Sequence, residues 1–143
     1  MIARSEIVEL ASGLMKRNLR FRPYGRNPEY GMDCVGTVIW IGKQLDVLPD
    51  KRIPPYSFPP STENFEHLAE FLDETDTIRE GTIIVFVTEN KTPGHVGIAS
   101  HRREDGVWWL VGSIPGSLQF GQFPLIPSIS DNIWRMFDYR NVS

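Results

Sequence analysis

The sequence is poor in cysteine, in long apolar runs and in excess charge of either sign. Its 143 residues include one cysteine, Cys34, so an internal disulfide and a multi-cysteine zinc site are both excluded. No run approaches the roughly 20 apolar residues that cross a bilayer, and we expect no membrane insertion. Lys and Arg total 15 against 18 Asp and Glu, a net charge of -3, so nucleic-acid binding has no electrostatic support. No two histidines have metal-ligand spacing, so we expect no metal site and no cofactor.

The first ten residues do not read as a secretion signal. Glu6 and Glu9 stand where a signal peptide needs an uninterrupted apolar core. We therefore expect a protein made without such a signal, which works in the cytoplasm or leaves the cell by another route, for example inside a larger particle. A hydrophobic fraction of 41% is near the globular average, and the length predicts a single domain over residues 1–143.

Apolar periodicity predicts helices first and an antiparallel sheet afterwards. Three helices are predicted, over residues 5–18, from about Asp33 to Asp46, and from a capping Ser61 to about Glu74. Four strands are predicted, over residues 82–87, 95–100, 107–111 and 133–139. The segment 104–106 has a strong turn composition, and residues 112–131 are predicted to be a long loop. This order is an α+β pattern.

Cys34 is the most informative single residue. It lies where a loop becomes a helix, within Gly31-Met32-Asp33-Cys34-Val35-Gly36. The helix dipole and the free N–H groups at such a position favour the thiolate, which predicts reactivity below the usual thiol pKa of roughly 8.5. The same N–H groups can form an oxyanion hole for an attacked carbonyl. The alternative interpretation is a small buried hydrophobic residue, which is the commoner role of a lone cysteine.

His95 is the second candidate. It opens a predicted strand directly after Thr92-Pro93-Gly94. A histidine at the start of a strand can reach across to a helix N-terminus and act as the base for a thiol. The alternative is an exposed histidine at the end of a loop. A cysteine at a helix start, followed by a sheet that begins with histidine, is the layout of papain-like thiol hydrolases.

Three blocks of the sequence, in this order, resemble the NlpC/P60 family of cysteine peptidases: Asp33-Cys34-Val35-Gly36, Glu80-Gly81-Thr82-Ile83-Ile84-Val85-Phe86 and His95-Val96-Gly97-Ile98-Ala99. Upstream, Arg22-Pro23-Tyr24 is similar to the proline-tyrosine element of that family. The resemblance implies a papain-like α+β fold with the nucleophile at a helix N-terminus. It also implies hydrolysis of an amide bond in peptidoglycan stem peptides, commonly the bond between D-Glu and a diamino acid.

The resemblance also implies roles for individual residues. Cys34 would be the nucleophile and His95 the general base, in agreement with the chemistry argued above. On the resemblance alone, Tyr24 would position the substrate or stabilise the oxyanion, and Asp33 would receive the free amine of the stem peptide. The alternatives are a packing aromatic for Tyr24 and a simple helix cap for Asp33.

The third catalytic residue is not obvious from the sequence. In the family, a polar residue on the next strand orients the base and faces the glycine two residues after the catalytic histidine, here Gly97. Counting from Gly106 reaches Leu110, which cannot orient an imidazole. A three-residue turn over 104–106 instead pairs Gly97 with Ser113, which makes Ser113 the candidate. A backbone carbonyl or a water molecule could serve instead.

Two features resemble the peptidases of phage tails and gene transfer agents. Val35 stands where many family members have serine, and the closing segment is Ile133-Trp134-Arg135-Met136-Phe137. This resemblance implies a location in the virion tail and partners among tail-tip or baseplate proteins. Two alternatives stay open: a structural tail-tip module with weak or lost catalysis, and a cytoplasmic thiol amidase or acyltransferase with an unrelated substrate.

Overall fold

A computed structural model describes the chain over residues 1–17, 19, 26–29, 31–48, 61–89, 91–114 and 119–143. Within these residues the helices are α1 (Arg4–Met15), α2 (Cys34–Gln44), α3 (Thr62–Ala69) and α4 (Pro127–Ser130). The strands are β1 (Arg26–Asn27), β2 (Gly31–Met32), β3 (Leu72–Glu74), β4 (Ile83–Val87), β5 (Pro93–Arg102), β6 (Trp108–Ser113), β7 (Phe120–Pro124) and β8 (Ile133–Tyr139). None of the described helices combines the length and the apolar character needed to cross a membrane.

The main sheet is antiparallel and runs in the order β3-β8-β4-β5-β6-β7. Strand β4 pairs with both β5 and β8, and its residues from Ile83 to Phe86 are buried. The predicted central strand is therefore confirmed, since a strand that is apolar on both faces must be covered on both sides.

Alternate residues of β4 face two separate apolar clusters. Ile83 and Val85 belong to the larger cluster, to which α1, α2 and α3 contribute their buried faces. Ile84 and Phe86 belong to a smaller cluster on the other face of the sheet, against which Ile129 of α4 packs. We call these the helix-side cluster and the α4-side cluster. The helix-side cluster is the larger of the two. It holds the start of α2 against the sheet.

The mixed α+β architecture and the first two helices are as predicted. In α1 the buried residues Ile7, Ala11 and Leu14 recur at helical spacing, and together they face the sheet. The third helix begins at the predicted cap, because the Ser61 hydroxyl accepts a hydrogen bond from the Asn64 N–H at 3.2 Å.

Two predicted boundaries are wrong. The third helix ends at Ala69, because the following residues form β3, in which Leu72 pairs with Tyr139 of β8. The predicted loop 112–131 contains β7 and α4, since Phe123 pairs with Leu110 and extends the sheet by one strand. In both cases pairing with another strand outweighs the local sequence pattern.

Candidate active site

Cys34 is the first residue of α2, and Asp33 fixes the start of that helix. The Asp33 carboxylate accepts a hydrogen bond from the Gly36 N–H at 2.7 Å, and the Thr37 hydroxyl donates to the Asp33 carbonyl at 2.9 Å. The chain enters β2 through Gly31, whose φ of 113° is one that side-chain-bearing residues rarely adopt. This cap places the Cys34 thiol at the helix N-terminus, as the sequence predicted.

The Cys34 thiol lies among backbone N–H groups but is closed off from solvent. Cys34 is 9% exposed. Burial, followed by the negative charge of Asp33, raises the pKa of the thiol from 9.0 to about 12, although backbone hydrogen bonds at Val35, Val96 and Cys34 itself lower it. The prediction of a lowered pKa is wrong for this conformation. Loss of hydration disfavours the thiolate by more than the helix N-terminus and its N–H groups favour it.

His95 lies near the start of β5, and its ring packs among aromatic side chains. The ring centroid is 5.8 Å from that of Phe86 and 5.7 Å from that of Phe123, both in the α4-side cluster. Burial lowers the pKa of His95 to about 4, while a hydrogen bond to the backbone of Ser113 raises it. Nε2 is buried and has no hydrogen-bond partner in the described part of the chain. His95 is therefore neutral at pH 7.

Cys34 contacts β5 next to His95, but the structure does not bring the two side chains together. The thiol contacts the backbone of Val96, the residue that follows His95. Val96 belongs to the helix-side cluster, whereas the His95 ring packs against the α4-side cluster. Across the described residues, no hydrogen bond joins the thiol to the ring. Both groups are neutral at pH 7 in this conformation, so it contains no thiolate–imidazolium pair.

The predicted pairing of Gly97 with Ser113 is wrong by one residue, and a β-bulge explains the difference. The expected register holds beside the turn, where His101 pairs with Trp109. It then shifts between Ala99 and His101, so that Gly97 pairs with Gly112. Ser100 is the extra residue of the bulge, and its hydroxyl donates to the Trp109 carbonyl at 3.0 Å.

This register changes which group faces Gly97, where the third catalytic residue is predicted to lie. Gly112 faces Gly97 and has no side chain to offer. Ser113 nevertheless meets His95 through its backbone, which accepts a hydrogen bond from the ring. A backbone carbonyl is one of the groups that the sequence allows for the orienting role. The structure thus brings the Ser113 backbone to the His95 ring, and the orienting role of Ser113 in catalysis stays a prediction.

The two residues predicted to bind the substrate are Tyr24 and Asp33. Tyr24 lies outside the described residues. Asp33 is 2% exposed, and its carboxylate serves as the helix cap. Its expected contact with a substrate amine stays a prediction, which this burial does not favour.

A cavity of about 510 Å³ opens beside His95. Its walls come from the end of β4, the start of β5 and the α4 region, and include Phe86, Glu89, His95, Ile129 and Asn132. Cys34 is not among the described residues that line it. No sequence pattern points to Glu89 and Asn132, because residues from distant segments carry no shared local pattern. Among the described residues, no group of three or more His, Cys, Asp or Glu side chains is arranged to hold a metal ion.

Comparison with known proteins gives a match at the level of fold. No protein-family model matches the sequence, and no curated protein does. Among solved structures, NlpC2 from Trichomonas vaginalis superimposes with a TM-score of 0.64 at 14% identity, over 94% of this chain and 46% of that one. An NLP/P60 family protein similar to lipoprotein from Staphylococcus aureus gives 0.61 at 15% identity, over 94% of this chain and 41% of that one.

An NLPC/P60 family protein from Bacillus cereus gives a TM-score of 0.58 at 19% identity, over 92% of this chain and 40% of that one. The chain thus spans less than half the length of each of these structures. Identities this low establish the architecture but leave activity to be argued from the site. The mixed helices and antiparallel sheet described above, together with these matches over more than nine-tenths of the chain, show that the chain has the NlpC/P60 fold.

Proposed function

We propose that this chain is a cysteine peptidase of the NlpC/P60 family that hydrolyses an amide bond in peptidoglycan stem peptides. The observation that carries the proposal is the position of the Cys34 thiol at the start of α2, against the backbone of Val96 and one residue from His95. The fold and the sequence blocks around these two residues support the same reading. Cys34 is the nucleophile and His95 the base.

In this mechanism the thiol proton passes to His95 as the sulfur attacks the scissile carbonyl carbon. The C–N bond then breaks, and the leaving amine takes the proton from His95. Water, activated by His95, hydrolyses the thioester and restores the thiol. Because the His95 ring packs on the α4 side of β5 and the thiol lies on the helix side, the ring has to move to the sulfur before the proton can pass. The backbone N–H groups at Cys34, Val35 and Val96 then stabilise the negative charge that develops on the sulfur.

We place this activity at the tail tip of a phage-like particle, where it opens the cell wall locally. Support for this setting comes from the aliphatic residue after the nucleophile, Val35, and from the closing strand β8, both of which resemble tail-associated peptidases. Tail-tip or baseplate proteins are the partners that follow from it.

A second candidate function is a structural tail-tip module on the same fold with weak or lost catalysis. Two observations favour it. Gly112 stands opposite Gly97, where the family carries an orienting side chain, and in the described residues no hydrogen bond joins Cys34 to His95. Loss of an orienting group reduces activity without abolishing it, because the remaining machinery still acts.

Digestion of purified peptidoglycan sacculi decides between these functions. The wild type is compared with Cys34→Ala and His95→Ala, and the released fragments are identified by mass. Substitution of the exposed His101 by alanine is the matched control. Cleavage by the wild type and the His101→Ala variant alone supports the peptidase and names the bond. If no variant cuts, while wild type and Cys34→Ala bind tail-tip proteins equally well, the structural module is the function.

A further inference from the structure

The two edges of the main sheet differ in length and in charge. At one edge, β3 has three residues, and two of them, Asp73 and Glu74, carry exposed carboxylates. At the other edge, β7 has five residues and no charged side chain. Short strands and charged side chains are the usual protection of an edge against pairing with a further strand. The β7 edge lacks this protection except at its last residue, Pro124, which has no N–H.

The hydrogen-bond pattern of β7 shows which of its backbone groups face away from the sheet. Where β7 approaches β6, the Ile114 N–H donates to the Gln119 carbonyl at 2.8 Å. In an antiparallel pair, residues that bond to the neighbouring strand alternate with residues that point away from it. Gln119 and every second residue after it therefore bond to β6, whereas Phe120 and Gln122 direct their N–H and C=O groups outward. In the described part of the chain, no further strand pairs with them.

These outward groups match those of a second β7 strand. If two β7 strands run antiparallel with Gly121 of each at the centre, Phe120 of one copy lies opposite Gln122 of the other. This register joins every outward N–H and C=O group of the two residues. At the centre, the two glycines form a pair without hydrogen bonds, in which the Cα atoms approach to about 4.5 Å. Gly121 brings no side chain to this close approach.

The charge and the topology of the edge also suit a second copy. Because β7 is uncharged, two copies meet there without repulsion between like charges, although the whole chain has a net charge of -3. The pairing is closed, since each copy uses its β7 and leaves β3 outermost. Asp73 and Glu74 on the short β3 strands then oppose further pairing. The product is a dimer with one continuous sheet and not a fibre.

We propose that this protein forms a dimer with a second copy of itself through β7, in the register centred on Gly121. The strand is held in place for this contact, because Phe120 packs against the helix-side cluster and Phe123 belongs to the α4-side cluster. The proposal is independent of the peptidase function, since it uses neither Cys34 nor His95. One strand from each copy makes a small contact, so the dimer is of the transient class.

Sedimentation equilibrium of the whole chain over a range of protein concentrations tests the dimer. We expect the average mass to rise with concentration, from that of one chain towards that of two. Gln122→Pro removes an outward N–H and leaves the bonds to β6 in place, a position where an edge strand accepts proline. The substitution should weaken the dimer at least about tenfold, because it removes a hydrogen bond on each side of the two-fold axis.

Gln122→Ala is the matched control. It removes the side-chain hydrogen bond from Gln122 to the Ser100 hydroxyl, 3.2 Å in the wild type, but it keeps the backbone N–H. The alanine variant should therefore dimerise like the wild type. Urea denaturation of both variants shows whether each is folded.

Amide hydrogen exchange examines the same edge in the wild type, without any substitution. As the protein concentration rises, exchange at Phe120 and Gln122 should slow, and exchange at Glu74 on the β3 edge should not change. A monomer at every concentration, or a dimer that a folded Gln122→Pro variant retains, would overturn the proposal. Equal loss of the dimer in the proline and alanine variants would also overturn it, as would a dimer in which exchange at Phe120 and Gln122 is unchanged.

Discussion

Of the two candidate catalytic residues, Cys34 has the pKa that its surroundings shift further. Its backbone N–H neighbours are those expected at a reactive helix N-terminus, yet burial and the adjacent Asp33 raise its pKa to about 12. The thiol is therefore protected in the resting protein. A substrate that displaces the groups covering it would change both its access and its protonation.

Alkylation with iodoacetamide measures this protection. At pH 8 we expect the native protein to react about a hundredfold or more slowly than the same protein unfolded in urea, because only the thiolate reacts. Mass spectrometry of quenched samples gives the rates. Since Cys34 is the single cysteine, each adduct reports on this site alone. A native protein that reaches half its maximal rate below pH 8.5 would contradict the burial argument.

His95 makes stability depend on pH in a defined direction. Burial lowers its pKa from 6.5 to about 4, so between these values the unfolded chain binds a proton that the folded chain does not. The free energy of unfolding should therefore be highest above pH 6.5 and fall as the pH decreases towards 4, by about 3 kcal/mol in all. Urea denaturation at a series of pH values measures the slope, and His95→Asn should flatten it. An equal slope in that variant would assign the effect to other groups.

At the scale of elements, the contact of β5 with β6 sets the geometry of the site. Gly97 pairs with Gly112 beside the point where Cys34 meets Val96. A Cβ atom at position 112 would lie 2.8 Å from the Val96 carbonyl oxygen. The two strands approach this closely because residue 112 has no side chain.

Gly112→Ala should force these strands apart and lower the free energy of unfolding by about 1–3 kcal/mol. The matched control is Gly13→Ala in α1, where an added Cβ meets nothing within 4 Å and alanine should stabilise the helix by about 0.5–1 kcal/mol. Urea denaturation of both variants gives the comparison. A Gly112→Ala protein as stable as the wild type would mean that the close approach of the strands is not a constraint.

Helices and strands whose apolar face lies in one continuous stretch of sequence were predictable. Elements that form by pairing with a distant strand were not. Helix α2 has its cap at Asp33 and its apolar face in one stretch of sequence. Strand β3 has three residues and forms because Tyr139 of β8 pairs with Leu72. The bulge at Ser100 was also not predictable from the sequence. An extra residue in a strand changes the pairing without changing the apolar pattern before it.

At the scale of the whole molecule, a buried carboxylate joins the two ends of the chain. Asp138 of β8 receives hydrogen bonds from Arg4 at 3.1 Å, Arg79 at 3.1 Å and Thr82 at 2.9 Å. Burial raises the pKa of Asp138, but the hydrogen bonds from Arg4 and Thr82 and the two guanidinium charges outweigh it, so the net pKa is lowered from 3.8. The ion pair fastens α1 to the sheet.

Because the folded pKa of Asp138 is depressed, its contribution is complete above about pH 4 and is lost as the pH falls through that lowered pKa. Asp138→Asn should lower the free energy of unfolding at pH 7 by about 2–4 kcal/mol, since Arg4 is left without its buried partner. It should also weaken the acid dependence below pH 4. Glu74→Gln, which removes an exposed pair with Arg135, should cost less than about 1 kcal/mol. Equal effects of the two substitutions would show that burial of Asp138 is unimportant.

The sequence by itself determined the α+β class, the helix that begins at Cys34 and the central strand β4, because each is written in one continuous stretch as a cap or an apolar period. It also predicted Cys34 and His95 as the candidate catalytic residues. Tertiary structure decided the protonation of both, the register that places Gly112 opposite Gly97, and the cavity that joins Glu89 to Asn132. Those properties depend on which distant segments exclude water from the thiol and the imidazole, and on which segments pair with β5. No local pattern of residues specifies these contacts.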